Sequence, residues 1–456
     1  MNIIGAFTVP HPPLIIPEVG RGRENIVSKT IDSYNKVGEE IANLKPDTII
    51  ISSPHAPYYR NGFYISGGDY LDGDMHEFGA RDVSFTEEVD TEFVYELQNL
   101  CDKNNIPTAI DSNVLDHGTM VPLYFIRKHY PNCKIVVLGI SDLPLIDHYK
   151  FGKQIQEVCN KLDKKFVYVA SGDLSHKLQV DGPYGFIKEG PEYDEEVMYD
   201  LSQGLFNNLL EYKEAFLDKA APCGHPSFCM MAGALDSYNV RPTFYSHEDK
   251  TGVGYGILSF YPIEYDSRRN FEERYLESHI VSKSKDPYIR LAQETIEAFL
   301  IDNRTLTVND IKDKELLNDR AGVFVSIHEF DKLRGCIGTF MPTRSSIGEE
   351  IIRNAIAAST EDYRFEPIKA SEVPYLDINV DILSIPEKIA SYDELDPKKY
   401  GVIVSSGNKR GLLLPDLDGV DTVEEQVRIA KSKGNITDLE EIELQRFTVT
   451  RHKDNW

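Results

Sequence analysis

Histidine side chains follow three predicted strands in the first half of the chain, each within a few residues of the strand end. The pairs of strand and histidine are Ile3–Val9 with His11, Thr48–Ser52 with His55, and Phe166–Ala170 with His176. Ligands bind at the carboxyl ends of strands in open α/β sheets, so we expect these imidazoles to meet in one pocket. Prolines beside His11 and His55 fix the local backbone. Two imidazole ligands with open coordination positions suit a non-haem Fe(II) site.

The strands that carry these histidines alternate with helical patterns over the first 260 residues. Thr48–Ser52, Lys134–Ile140 and Phe166–Ala170 are nearly continuous in apolar residues, as is typical of strands buried on both faces. Apolar residues recur at helical spacing over residues 26–44, about 194–217 and about 226–238. The pattern predicts an α/β N-terminal domain with a mainly parallel central sheet covered by helices.

A charged stretch marks the end of this pattern, and it predicts a linker over residues 263–284 between domains at 1–262 and 285–456. In the second half, helices are predicted at 288–300, 346–360 and 422–433, and strands at 322–330, 334–340, 375–383 and 443–451, with a hairpin from 401 to 414. This order predicts an α+β C-terminal domain with mostly antiparallel strands.

Composition limits the classes of partner. The net charge is −25, from 74 acidic and 49 basic residues, and such a surface repels nucleic acid and anionic membranes. The six cysteines form no Cys-x-x-Cys pair, which favours reduced thiols. The N-terminus has no basic region or cleavage site, and no apolar run reaches the roughly 18 residues of a membrane span. We therefore expect a cytoplasmic protein that acts on small molecules; homo-oligomerisation stays open.

Four ordered motifs across residues 1–240 resemble the class III extradiol (LigB-type) dioxygenases. Two are Asp-His-Gly-Thr-Met-Val-Pro-Leu at 116–123 and Leu-Ser-His-Lys-Leu-Gln at 174–179. The others, Val-Pro-His ending at His11 and Pro-His-Ala around His55, match that family's two metal histidines. The resemblance implies that His11 and His55 bind metal, that His176 is the acid/base residue, and that His117 lines the substrate and oxygen pocket.

Two aspartates lie beside these histidines in the sequence. Asp116 and Asp173 are close enough to accept a hydrogen bond from a histidine N–H, which would orient the ring. Each is equally typical of a turn. The sequence leaves both alternatives open.

The third metal ligand departs from the dioxygenase pattern, which has a glutamate shortly before the Gly-Ala-Leu at 233–235. This chain has Ala-Pro-Cys-Gly-His-Pro at 221–226, without a carboxylate. The related Memo-like proteins carry Cys-Gly at this point, and that resemblance makes Cys223 the leading third ligand, with His225 and Glu248 as alternatives. Fe(II) is the expected metal. Because a thiolate is a softer ligand than a carboxylate, copper and zinc are alternatives. A small buried thiol is the structural alternative for Cys223.

Residues from about 284 to the end resemble the AMMECR family. The motif that carries this resemblance is Leu-Arg-Gly-Cys-Ile-Gly-Thr at 333–339, with support from Asp-Pro-Tyr-Ile-Arg at 286–290 and Phe-Glu-Pro at 365–367. Arg334 and Cys336 could form a small anion-binding or nucleophilic site. Glycines that allow tight strand packing explain the motif as well.

Two functions follow from these motifs. The first is a non-haem Fe(II)-dependent, dioxygenase-like oxidoreductase that uses O2 on a catechol-like or other metal-chelating small molecule. The second is a Memo-like metal-binding protein with a redox or partner-binding role and no catalysis. His117 and His176 favour the enzyme, because a storage site does not need a positioned base. The absent carboxylate favours the second function.

Overall fold

The chain divides into two compact units, Met1–Ser278 and His279–Trp456. The structure is a computed structural model, and it describes residues 1–112, 114–417 and 419–454. Each unit has its own sheets and helices, and the two are described separately.

The first unit contains an eight-stranded sheet of strand order β6-β3-β7-β2-β8-β1-β10-β9 and a separate β4-β5 pair. The strands are β1 (Ile3–Val9), β2 (Thr48–Ser53), β3 (Phe63–Ser66), β4 (Tyr70–Met75), β5 (Ala80–Glu88), β6 (Thr108–Asp111), β7 (Lys134–Gly139), β8 (Phe166–Ser171), β9 (Tyr238–Glu248) and β10 (Tyr255–Tyr265). The four central strands β7, β2, β8 and β1 run parallel, whereas β10 and β9 join antiparallel. The predicted fold class is confirmed.

Helices accompany this sheet and cover its apolar strands. They are α1 (Pro17–Gly20), α2 (Ser28–Leu44), α3 (Thr91–Lys103), α4 (His117–His129), α5 (Leu145–Lys161), α6 (Glu189–Gln203), α7 (Glu214–Ala220), α8 (His225–Ala234) and α9 (Phe271–Ser278). Every residue of β2 and β8 is buried, as their continuous apolar composition indicates. Helix α2 packs on α4, and α5 packs on α8.

The predicted helix over 194–217 is two helices in the structure. Helix α6 ends at Gly204, whose φ of 65° is left-handed and terminates the helix. A short 3-10 turn at Asn208–Leu210 separates it from α7. The predicted helix over 226–238 also ends earlier, at Ala234, because Ser237 has a φ of 59° and β9 begins at Tyr238. Apolar residues keep helical spacing across both breaks, so the sequence pattern alone does not reveal where these helices end.

The second unit contains two four-stranded sheets, β12-β11-β13-β18 and β14-β17-β15-β16, whose strand pairs are antiparallel. Its elements are α10 (Pro287–Leu300), β11 (Gly322–Glu329), β12 (Lys332–Thr339), α11 (Ile347–Thr360), β13 (Leu376–Leu383), β14 (Glu387–Ile389), β15 (Gly401–Ser406), β16 (Lys409–Leu413), α12 (Val423–Lys433), β17 (Glu443–Phe447) and β18 (Val449–His452). The α+β prediction is confirmed.

The last predicted strand is divided in the same unit. Residues 443–451 were expected to form one strand, but β17 and β18 lie in different sheets and meet at Thr448. Ser346 caps α11 by accepting a hydrogen bond from the Glu349 N–H. Among the described residues, no helix combines the length and apolar character that crossing a membrane requires.

Candidate metal centre and neighbouring histidines

The carboxyl ends of three adjacent parallel strands bring the predicted ligands together. Strands β2, β8 and β1 are neighbours in the sheet, and His11 and His55 follow two of them. The Nε2 atoms of His11 and His55 are 3.1 Å apart, and Cys223 Sγ is 3.5 Å from His11 Nε2. Ligand atoms of all three residues lie within 4.8 Å of one another.

A serine at the end of β8 fixes the orientation of His11. The Ser171 hydroxyl donates to the Gly118 carbonyl at 2.5 Å, so its oxygen is left to accept from His11 Nδ1–H at 3.0 Å. With the proton on Nδ1, the lone pair of Nε2 is directed at His55 and Cys223. Burial and, to a smaller extent, the charge of His55 hold the pKa of His11 well below its usual value. The ring is therefore neutral and able to bind metal.

Close backbone contact brings Cys223 to the same edge of the sheet. The Asp173 N–H donates to Cys223 Sγ at 3.2 Å. A Cβ atom on Gly172 would lie 2.0 Å from the Gly224 Cα, so only glycine permits this approach. Burial, followed by the charge of Asp173, raises the pKa of the Cys223 thiol well above its usual value. Without a metal, Cys223 is therefore a neutral thiol.

His176 lies near Cys223. Its Nδ1–H donates to the Ala221 carbonyl at 2.6 Å, which leaves Nε2 as an acceptor. Its ligand atom lies within 4.8 Å of those of Asp173 and Cys223, which are also within that distance of each other. Burial lowers the pKa of His176, so the neutral base is favoured at neutral pH. The Tyr184 ring contacts the imidazole edge-on at 5.1 Å between centroids.

His117 is the first residue of α4, and its ring lies against His55. The centroids of the His55 and His117 rings are 4.0 Å apart, and the Phe78 centroid is 5.3 Å from that of His117. Burial, followed by the charge of His55, lowers the pKa of His117 to about 4. His117 is therefore a neutral side chain beside the exposed ligand His55.

The two neighbouring aspartates bond backbone and hydroxyl groups. Asp116 caps α4 by accepting from the Thr119 N–H, and it also accepts from the Ser53 hydroxyl at 2.6 Å. Asp173 accepts the His11 backbone N–H at 2.8 Å. Burial raises the pKa of Asp173 to about 7. Both aspartates thus position the segments that carry histidines, and Ser171 orients the His11 ring.

The structure places the two alternative ligands elsewhere. His225 is fully buried, with Nδ1 bonded to the Tyr193 hydroxyl at 3.0 Å and Nε2 to the Leu209 carbonyl at 2.8 Å. Glu248 accepts both the N–H and the hydroxyl of Thr30. Neither belongs to a group of described residues whose ligand atoms lie within 4.8 Å.

In the second unit, Arg334 and Cys336 lie on β12. The Arg334 guanidinium pairs with Glu372 at 2.7 Å and donates to the Glu366 carbonyl at 2.6 Å. Cys336 Sγ accepts from the Ser326 hydroxyl at 3.2 Å. A Cβ on Gly335 would lie 2.1 Å from the Ala358 carbonyl oxygen of α11. Tight packing thus accounts for this glycine of the motif.

Family models match both halves of the chain. The model of the catalytic LigB subunit of aromatic ring-opening dioxygenases matches residues 5–258, which is more than half of the chain. The chain belongs to the LigB family. Residues 289–452 match the AMMECR1 model, so this LigB-family protein carries an AMMECR1 domain in its second half. The recognition of this fusion from the sequence motifs is confirmed.

The chain is similar to other proteins over different shares of its length. Protein CA_C1420 of Clostridium acetobutylicum is 38% identical, and the match covers 100% of both chains. A protein of Thermotoga maritima is 49% identical over 37% of this chain and 97% of its own. The crystal structure of PH0010 from Pyrococcus horikoshii has 28% identity and a TM-score of 0.34, covering 37% of this chain and 93% of that one.

Two supporting groups had not been singled out from the sequence. Ser171 is the residue after the predicted β8 strand, and its position at the strand end was the available signal. The Ala221 carbonyl, which anchors His176, carries no side-chain signal because any residue provides a carbonyl. Its left-handed backbone, with a φ of 52°, is visible only in the structure.

Proposed function

We propose that the first unit is a non-haem Fe(II)-dependent, dioxygenase-like oxidoreductase that acts with O2 on a catechol-like or other metal-chelating small molecule. His11, His55 and Cys223 would hold the metal, and His176 would be the acid/base residue. The observation that carries the proposal is the position of His176. Its imidazole adjoins the ligand group, and its Nδ1–H is already bonded, so Nε2 is available to accept a proton.

The distances from His11 Nε2 to the other two ligand atoms fit a metal ion. Tetrahedral zinc coordination, with metal–nitrogen bonds of about 2.05 Å and a metal–sulfur bond of about 2.3 Å, would give N···N of about 3.3 Å and N···S of about 3.6 Å. The corresponding distances are 3.1 and 3.5 Å. A neutral His11 with its Nε2 lone pair directed inward satisfies the donor chemistry as well. A thiolate ligand also suits copper or zinc, so the identity of the metal is part of the test.

Around the proposed metal position, residues of the chain would transfer a proton and orient the substrate. Bound Fe(II) would provide Lewis acidity that lowers the hydroxyl pKa of a chelating substrate, together with redox chemistry toward O2. Neutral His176 would accept the substrate hydroxyl proton at Nε2, while Ala221 keeps the ring in place. His117 and Phe78 would form an aromatic wall beside His55.

The experiment substitutes His176 and measures three properties of the full chain. His176→Ala should keep metal content and melting temperature while O2 uptake with a panel of catechols and aminophenols falls by roughly 10²–10⁴-fold. An unfolded or metal-free variant would contradict the acid/base role. Wild-type protein loaded with Fe(II) that consumes no O2 with any compound of the panel would contradict ring cleavage.

One observation favours a second function, a Memo-like metal-binding protein with a redox or partner-binding role. Cys223 lies where the dioxygenase pattern has a carboxylate, and its sulfur is 3.5 Å from His11 Nε2. Metal analysis of anaerobically purified protein separates the two. Stoichiometric copper or zinc, with no O2 uptake after exchange for iron, would support the second function. Iron with substrate-dependent O2 uptake would support the enzyme.

A further inference from the structure

A buried carboxylate and a partly exposed histidine form a pair outside the ligand group. The Asp194 carboxylate on α6 is 3% exposed, and one of its oxygens is 2.8 Å from Nε2 of His247 on β9. A carboxylate removed from water is costly unless it is paired and hydrogen-bonded. His247 provides that pairing. Burial opposes its charge, yet Asp194 raises the pKa of His247 above its usual value.

The other oxygen of Asp194 reaches the segment that carries His176. It accepts the N–H of Ser175 at 2.8 Å, and Ser175 is fully buried. The Ser175 hydroxyl donates to the Ala220 carbonyl at 2.7 Å and accepts the Lys177 N–H at 3.0 Å. Ser175 therefore ties together the residues on both sides of His176 and the end of α7.

The same end of α7 fixes the His176 ring. The His176 N–H donates to the Ala220 carbonyl at 3.2 Å, and its Nδ1–H donates to the Ala221 carbonyl at 2.6 Å. The contact with Ala221 selects the Nδ1–H tautomer, so the orientation of Nε2 depends on where residues 220–221 lie relative to Ser175. Close packing reinforces this arrangement, because a Cβ on Gly254 would lie 2.0 Å from an Asp194 oxygen.

We infer that Asp194 and His247 are a positioning pair for His176: Asp194 holds Ser175, Ser175 holds the end of α7, and the end of α7 holds the His176 imidazole in its Nδ1–H tautomer. The inference rests on the proposed acid/base role of His176 and names the residues that prepare it. Neither member of the pair belongs to the ligand group, so metal binding should not depend on them.

The test reads the tautomer directly and needs no substrate. In the metal-free full chain labelled with ¹⁵N-histidine, the His176 resonances are assigned with His176→Gln, and the ring-nitrogen shifts report the tautomer. Asp194→Ala should reduce the Nδ1–H population and accelerate hydrogen exchange of the Ser175 amide roughly tenfold, as for the loss of one buried hydrogen bond. Asp194→Asn keeps an oxygen for Ser175 and should restore most of both properties.

The matched control is Asp249→Asn, which removes a negative charge near His247 from an exposed residue and should change neither property. If Asp194→Ala does not fold, His247→Ala provides the second test, with an expected acceleration of roughly threefold. Metal content should stay at the wild-type level in each folded variant. A folded Asp194→Ala or His247→Ala protein with wild-type tautomer and wild-type exchange would overturn the positioning role. If Asp194→Ala shifts the His176 tautomer but the wild-type protein takes up no O2, the positioning role stands and only the proposed oxygenase reaction is refuted.

Discussion

The two units use similar polar residues in opposite ways. In the first unit, His11, His55 and Cys223 each direct a ligand atom at the same small region. In the second unit, the Arg334 guanidinium is bonded to Glu372 and to a backbone carbonyl, and Cys336 accepts from Ser326. Residue type alone therefore does not make a site. What distinguishes the first unit is that His11 Nε2 faces two further candidate ligand atoms, those of His55 and Cys223.

The same distinction appears within the first unit. His11 and His225 are both buried, at 2% and 0% exposure. His11 Nδ1 bonds to Ser171, and its Nε2 faces the two other candidate ligands, His55 and Cys223. The two ring nitrogens of His225 instead bond to the Tyr193 hydroxyl and the Leu209 carbonyl. Burial does not separate these two histidines, but the partners of their Nε2 atoms do: other candidate ligand atoms for His11, and a backbone carbonyl for His225.

The largest expected effect is loss of the metal. His11→Ala and His55→Ala should each reduce metal content from about one ion per chain to near zero, because two remaining ligands hold an ion weakly. Cys223→Ser should lower it as well, while the matched variant Cys336→Ser should keep it. Elemental analysis of anaerobically purified proteins measures this. Full metal occupancy in either histidine variant would show that this histidine is not a ligand. Loss of metal in Cys336→Ser would show that the second unit also contributes to metal binding.

A smaller effect is expected from the structural role of Arg334. Its side chain and that of Glu372 are 18% and 17% exposed, so Arg334→Ala leaves a largely buried carboxylate unpaired. We expect the free energy of unfolding of the second unit to fall by about 3 kcal/mol in urea denaturation. The control is Arg353→Ala, whose ion pair with Glu361 is 40% and 53% exposed and should contribute less than about 1 kcal/mol. If Arg334→Ala and Arg353→Ala lower the free energy of unfolding equally, the Arg334 ion pair is not structural, and its guanidinium is available to a ligand.

His225 should give the first unit a pH-dependent stability. Burial lowers its pKa from 6.5 to about 4, so below pH 6.5 the unfolded chain takes up a proton that the folded chain does not. Stability should therefore fall as the pH decreases from about 6.5 to 4, by about 2 kcal/mol at pH 5 from this residue. Urea denaturation of metal-free protein at pH 7.5 and pH 5 tests this. His225→Gln should reduce the difference; an unchanged difference would assign the acid sensitivity to other groups.

The smallest effect concerns protons released on metal binding. Because burial keeps Cys223 protonated, an ion that binds its sulfur must displace one proton. Metal affinity should then rise about tenfold per pH unit near neutrality, which is about 1.4 kcal/mol. Calorimetry in two buffers of different ionisation enthalpy counts the protons. Release that persists undiminished in Cys223→Ser would show that the sulfur is not a ligand.

Much of the scaffold was predictable because its signals are local. Strand β1 has the predicted bounds, and β2 and β8 each extend one residue further, since a continuous apolar run is a strong signal for a buried parallel strand. Their adjacency does not follow from chain order, because β8 lies between β1 and β2 in the sheet. Placing His11 and His55 at one edge of the sheet needed only these elements.

The remaining features depend on contacts between distant residues. Ser171 bonds to His11 across 160 positions, and Asp173 bonds to Cys223 across 50. No spacing rule identifies such partners. The break at Gly204 was hidden for a different reason, because apolar residues on both sides kept helical spacing while a single left-handed residue ended the helix.

The uneven exposure of the ligand group has a kinetic consequence. His55 is exposed, whereas His11 is buried and Cys223 is half-buried. An ion held by these residues would have its most replaceable bond on the solvent side. A chelator or a metal-donating partner would exchange first with His55, while the two inner ligands still hold the ion. Release would then depend on the concentration of the competing ligand and would proceed without unfolding of the domain, so metal could be transferred from a stable fold.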